Sequence, residues 1–144
     1  MTVRIDLEYD GTDFYGWARQ PGKRTVEEEL AAALGRILSS EITLTVAGRT
    51  DRGVHATGQV ASYEGRVVRA DGVNALLPSD VAVRSCVEAG AFDARRDAVA
   101  RSYRYRVLNR RERSAFEAGR ALWWPYRVDD AALDACAAAL LGGH

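Results

Sequence analysis

Between Thr2 and Tyr9 the apolar residues Val3, Ile5, Leu7 and Tyr9 alternate with Arg4, Asp6 and Glu8, the period of two expected of a strand with one buried face. Asp10-Gly11 ends it in a turn, and a loop rich in glycine and aromatics follows. Thr25-Val26-Glu27-Glu28 has the form of a capping box, with Thr25 as N-cap and Glu28 three residues on. It opens a helix whose apolar face is Val26, Leu30, Ala33, Leu34, Ile37 and Leu38. Ile42, Leu44 and Val46 predict a second strand running into the loop Gly48 to Ala56. Gln59 to Glu64 predicts a third strand, forming a hairpin with a long connection. A short helix over Asp71 to Leu77 ends before Pro78, and Val81 to Glu88 reads as a fourth strand.

The order β-α-β-β-α-β predicts an α+β fold of the split βαβ, ferredoxin-like (RRM-like) kind, an antiparallel sheet with helices on one face. Two further elements stand outside that order. One is a strand over Arg101 to Asn109, with Tyr103, Tyr105 and Val107 on one face and Arg104 and Arg106 on the other. The other is a helix from Asp129 or Asp130 to a Gly142-Gly143 stop. The organisation expected is an αβ unit over residues 1–94, carrying the loop described below, and an Arg-rich strand, loop and helix over 95–144. An extra strand and helix need more sheet to cover them, so the chain reads as a fragment of a longer protein.

At 144 residues and 15.8 kDa, 47% hydrophobic and 28% charged, the composition excludes a disordered, collagenous or low-complexity chain. Twenty basic and twenty acidic side chains cancel, which at first argues against a nucleic-acid partner. The charge is uneven, however: residues 1–94 carry −4, residues 95–120 carry +6 and residues 121–144 carry −2. The middle block therefore keeps a local site for a polyanion. All of the basic residues but Lys23 are arginine; arginine's planar fork suits phosphates and stacked bases, and a GC-rich coding sequence also favours it. Cys86 and Cys136 lie far apart with two histidines and no CxxC pair, so neither a zinc site nor a disulfide framework is indicated. The N-terminus shows no apolar signal region and no run approaches membrane-span length. A reducing cytoplasm fits best.

Three stretches concentrate residues able to do chemistry. Ala47-Gly48-Arg49-Thr50-Asp51-Arg52-Gly53-Val54-His55-Ala56 sets one carboxylate between two guanidinium groups, which keep it ionised. Such an Asp51 can serve as nucleophile or general base toward an anionic substrate, or be an ordinary turn residue paired with a neighbouring arginine. Tyr9 to Trp17 gathers aromatics, acids and two glycines, able to seat a base or ribose or to pack into the core. Arg101-Ser102-Tyr103-Arg104-Tyr105-Arg106 interleaves aromatics and cations, a way to hold an unpaired nucleotide or a half-buried strand with solvated arginines. His55 alone reads as a structural hydrogen-bonding group rather than a ligand, and His144 supports no role by itself.

The block Ala47-Gly48-Arg49-Thr50-Asp51 with Gly53-Val54-His55-Ala56, preceded by Tyr9-Asp10-Gly11-Thr12 with Phe14 and Gly16-Trp17, resembles the tRNA pseudouridine synthase A family. So do Asn74-Ala75-Leu76-Leu77-Pro78 with Asp80-Val81-Ala82-Val83, and Tyr103-Arg104-Tyr105. The blocks run in order across essentially the whole chain. The resemblance implies an isomerase that converts uridine to pseudouridine in the anticodon arm of tRNA, at positions 38–40, without cofactor or metal, as a cytoplasmic homodimer in the full-length protein. It makes Asp51 the catalytic carboxylate, gives Arg49 to base flipping and pairing with Asp51, and Tyr103 to stacking on the extruded uracil. His55 and Arg104 join them as substrate-binding residues. Two departures stand out: Asp93 replaces a histidine usual after Phe92, and Ala18 replaces a glutamine. Family members are nearly twice this length, which agrees with a fragment holding the Asp51 half of the site. The alternative is a noncatalytic RNA-binding module of RRM-like fold, although the RRM aromatic signature is absent.

Overall fold

Strand β1 (Thr2–Tyr9) buries the whole apolar phase of its alternation, Val3, Ile5, Leu7 and Tyr9. Its ladder partners explain why: β3 (Ala56–Glu64) and β4 (Val81–Glu88) both pair with it antiparallel. Between β1 and β3 in the chain come helix α1 (Val26–Leu38) and the short edge strand β2 (Thr45–Val46). Helix α2 (Ala70–Asn74) separates β3 from β4. The four strands lie side by side in the order β2-β3-β1-β4. In this computed structural model residues 1–143 are described, and His144 lies outside them. The chain divides into two compact units, Met1–Ser102 and Tyr103–His144.

In the first unit, α1 sets Val26, Leu30, Ala31, Ala33 and Leu34 against the sheet face carrying Val3, Ile5 and Leu7, and Val73 of α2 joins the same core. Burying each large aliphatic side chain here contributes about 1.5–3 kcal/mol. The result is a small α+β fold with a four-stranded antiparallel sheet. The capping box is corrected. Thr25 is the N-cap residue, but its side chain makes no cap hydrogen bond, and Thr25 Oγ1 is buried without a partner among the described residues. Instead the amides of Val26 and Glu27 donate to the carbonyls of Gly16 (3.2 Å) and Trp17 (3.0 Å). The preceding loop thus does the capping.

The opposite sheet face is not left open. After β4 the chain folds back, placing the Phe92 ring 5.8 Å from the Arg4 guanidinium and burying Ala94, whose amide donates to Ser62 Oγ (3.2 Å). Asp93, at the position where the resemblance expects histidine, organises this turn. Its Oδ1 accepts from the amides of Arg95 and Arg96, both at 2.9 Å, and its own amide donates to Asp97 Oδ2 (2.8 Å). The hydrogen bonds from the Arg96 and Arg95 amides hold its carboxyl below the usual carboxylate range.

In the second unit β5 (Val107–Leu108) pairs in parallel with β6 (Leu122–Trp123), forming a separate two-stranded sheet. Asn109 Nδ2 donates to the carbonyls of Trp124 and Tyr126, both at 2.7 Å. Helix α3 (Asp130–Ala139) starts where Asp129 accepts from the Ala132 amide (3.0 Å) and buries none of its residues. The nine-residue strand expected over Arg101 to Asn109 shrinks to two residues. Alternation creates a strand only where a neighbour completes its ladder, and β6 offers two residues of partner. Tyr103 and Tyr105 are consequently exposed, at 74% and 81%. Among the described residues no helix is long and apolar enough to cross a membrane.

Candidate active site

The antiparallel register pairs Tyr9 with Ala56, so the loop leaving β1 begins beside the loop entering β3. Two stretches some forty residues apart in sequence therefore meet, the aromatic loop 10–17 and the Arg-Thr-Asp loop 47–55. They meet backbone to backbone. The Trp17 amide donates to the Thr50 carbonyl (2.9 Å) and the Gly53 amide to the Phe14 carbonyl (3.2 Å). The closeness demands glycine: a Cβ on Gly11 would lie 2.0 Å from the Val54 carbonyl oxygen, and one on Gly16 2.6 Å from that of Thr50. Gly16 also adopts φ +92°, in the region that favours glycine.

Beneath the loop pair lies a buried polar post. Gln59 Nε2 donates to the Gly48 carbonyl (2.8 Å) and to the Tyr9 hydroxyl (3.2 Å), and that hydroxyl is 2.6 Å from Thr50 Oγ1. Tyr9 and Gln59 are both buried, so these bonds form away from competing water. His55 closes the far end: its Nδ1 accepts from the Gly11 amide (2.9 Å) and lies 3.1 Å from Asp10 Oδ1. Of the expected substrate-binding residues, His55 thus faces the neighbouring loop through Nδ1.

A third support comes from Arg24, just before α1. Its Nη1 and Nη2 grip both oxygens of Asp80 at the head of β4 (2.7 and 2.9 Å). Its Nε donates to Glu29 (3.0 Å), and the guanidinium lies 4.1 Å from the Phe14 ring centroid. The hydrogen bonds from Arg24 hold the Asp80 carboxyl below the usual range, and those to Asp80 push the guanidinium pKa up. The Asp80 carbonyl also accepts from the Asp10 amide (2.9 Å). A fourth support is Arg101, whose Nε donates to the Ala47 carbonyl (2.6 Å) and whose Nη2 donates to that of Arg95 (3.2 Å).

On this scaffold residues Asp51 to Val54 form a tight turn, with the Val54 amide donating to the Asp51 carbonyl (3.2 Å) and Gly53 at φ +78°. The turn lifts Asp51 and Arg52 to the surface. Arg49 is exposed as well, and among the described residues no ion pair joins it to Asp51. The carboxylate is thus presented on a stiff base and open to a ligand. Phe14 and Trp17 are core residues, 1% exposed, so the aromatic loop buttresses the site and does not offer those rings to a base. Tyr103 and Arg104 open the second unit and are exposed. Among the described residues no group of three or more His, Cys, Asp or Glu side chains comes together as metal ligands.

Gln59, Arg24 and Asp80 were not singled out from sequence. Gln59 had a signal, a polar residue on the same phase of β3 as buried Ala61 and Tyr63, where a buried amide must find partners. Arg24 had none, and Asp80 stood only within a block that carries the resemblance, with nothing to pair it with an arginine 56 residues away.

The sequence profile of a family described as tRNA pseudouridine synthase matches residues 7–97. The chain is 46% identical over 121 residues to tRNA pseudouridine synthase A of Cronobacter sakazakii, covering 80% of this chain and 45% of that protein. It is 42% identical over 149 residues to the protein of the same name from Photorhabdus laumondii, covering 99% and 56%. It is 40% identical over 150 residues to that of Methylococcus capsulatus, covering 100% and 55%. The chain thus spans about half the length of the relatives it matches.

Proposed function

Because this chain belongs to the tRNA pseudouridine synthase family, we propose that it carries the Asp51-bearing half of an isomerase that turns uridine into pseudouridine in the anticodon arm of tRNA. The observation that carries this reading is the exposed Asp51 carboxylate, set on a turn whose base is held by glycine-only contacts and the Gln59–Tyr9–Thr50 post. The N1–C1′ bond breaks, the uracil turns, a C5–C1′ bond forms, and the hydrogen leaving C5 is balanced by one gained at N1. A single carboxylate beside the sugar serves this as nucleophile or as a countercharge to positive C1′. No second carboxyl group is needed to activate water, as it would be in a hydrolase.

Arg49, exposed beside Asp51, assists extrusion of the target base, which costs a few kcal/mol in unstacking and unpairing. Tyr103 stacks on the extruded uracil. Arg104 takes a phosphate, and His55 orders the loop from which the substrate is met. The strand order β2-β3-β1-β4 with both helices in one core supports the ferredoxin-like assignment. A cytoplasmic, homodimeric full-length enzyme acting without cofactor completes the reading.

The test is Asp51→Asn in the full-length protein, which keeps shape and removes charge, assayed with tRNA tritiated at uridine C5. The proposed role requires that the variant bind tRNA while tritium release falls at least a thousandfold. Release at the parent rate would remove Asp51 from the chemistry, whereas a parent protein that binds tRNA and releases no tritium would favour the RNA-binding module.

A further inference from the structure

Tyr15 has no place in the machinery above, yet it is firmly held. Its amide donates to the Arg24 carbonyl (2.9 Å), and its own carbonyl accepts from Gln20 Nε2 (2.9 Å). These bonds pin its backbone, and its half-buried ring stands at the edge of the loop pair. Two cations rest against it: the Arg52 guanidinium lies 4.4 Å from the ring centroid and the Lys23 ammonium 4.5 Å. Arg52 directly follows Asp51 in the same turn.

Each cation is attracted to the ring's π face, but gathering two like charges on one ring costs repulsion. Among the described residues neither Lys23 nor Arg52 takes part in an ion pair. Paired cations without a carboxylate between them form a local positive field that an external anion completes. The cations occupy the ring's π surface, so they offer a ligand charge and not a stacking face. A phosphodiester, with its accepting oxygens, suits an ammonium and a guanidinium together.

We propose that Lys23 and Arg52, held on Tyr15, form an anion site for a backbone phosphate of the RNA strand that presents a uridine to Asp51, a proposal that rests on the tRNA reading above. The site lies one residue from the carboxylate, so it sets the register of the strand as well as adding affinity.

The experiment measures tRNA binding by the full chain as a function of salt, using a labelled tRNA transcript and fluorescence anisotropy. The double variant Lys23→Met, Arg52→Met, which keeps the aliphatic stems, should weaken binding several-fold at low salt and reduce the slope of log Kd against log salt by about 1. Lys23→Arg alone should keep the parent slope. As a control, Arg36→Met removes one charge near the far end of α1, about 15 Å along the axis from Val26, and should leave the slope unchanged. Retained binding with an unchanged slope in the double variant would overturn the anion site while leaving the tRNA reading standing. An equal slope change in Arg36→Met would also overturn it, since the slope would then report net charge alone. A parent chain that does not bind tRNA would overturn both.

Discussion

The Val54 carbonyl occupies the space that a side chain on Gly11 would need, with its oxygen 2.0 Å from where a Cβ would stand. The loop that ends β1 and the loop that carries Asp51 can therefore be in contact only because position 11 has no side chain. The Gly11 amide bonds to His55 Nδ1 (2.9 Å) one residue further on, so the same glycine provides both the clearance and the tie.

Gly11→Ala should separate the two loops. Overpacking against backbone costs roughly 1–3 kcal/mol, so the urea midpoint should fall and tritium release from tRNA should fall with it. Gly58→Ala is the control. Gly58 lies on β3 with open space around it and no positive φ, and its replacement should leave the midpoint unchanged or raise it slightly. Equal midpoints for the two variants would show that the Gly11 contact carries no energy.

Tyr9→Phe removes the hydroxyl that joins Gln59 to Thr50 and leaves a buried amide hydrogen without its acceptor. The cost expected is about 1–3 kcal/mol, read by chemical denaturation. Because the post sits under the loop and does not reach its surface, isomerisation should lose kcat while tRNA affinity stays near the parent value. A variant that lost affinity and kept kcat would place the Tyr9 hydroxyl in substrate binding.

The Arg24–Asp80 clasp gives stability a dependence on pH. Arg24 depresses the folded-state pKa of Asp80, so the unfolded chain binds the proton more readily. The contribution is fully present above the unfolded value of about 3.9 and is lost as pH falls through the lower folded value. Melting temperature should therefore drop on acidification below about pH 4, and Asp80→Asn should flatten that drop while lowering stability at neutral pH. With both side chains a quarter to a third exposed, the neutral-pH loss is about 1–2 kcal/mol. An unchanged acid limb in the variant would show that other carboxylates govern it.

Much of the architecture was legible along the chain because it depends on local period. The alternation of β1, the apolar face of α1 and the Asp129 start of α3 each follow from spacing within a few residues. Asp51 stood out because its neighbours make a compact and unusual motif. The capping box failed for a reason outside its own four residues, since the carbonyls of Gly16 and Trp17 reach the helix start first. The strand over Arg101 to Asn109 failed because its ladder depends on what lies beside it. Asp93, a departure from the family pattern, proved to hold its turn together through two backbone amides.

The sequence by itself determined the order of elements through β4, the buried phase of β1 and α1 and the loop that bears the carboxylate, because hydrophobic period and turn chemistry act over a few residues. Tertiary structure alone decided that loop 10–17 would brace loop 47–55, that Arg24 would find Asp80, and that Lys23 and Arg52 would share the ring of Tyr15. Those contacts join residues tens of positions apart, and the register of β1 against β3 brings the two loops face to face.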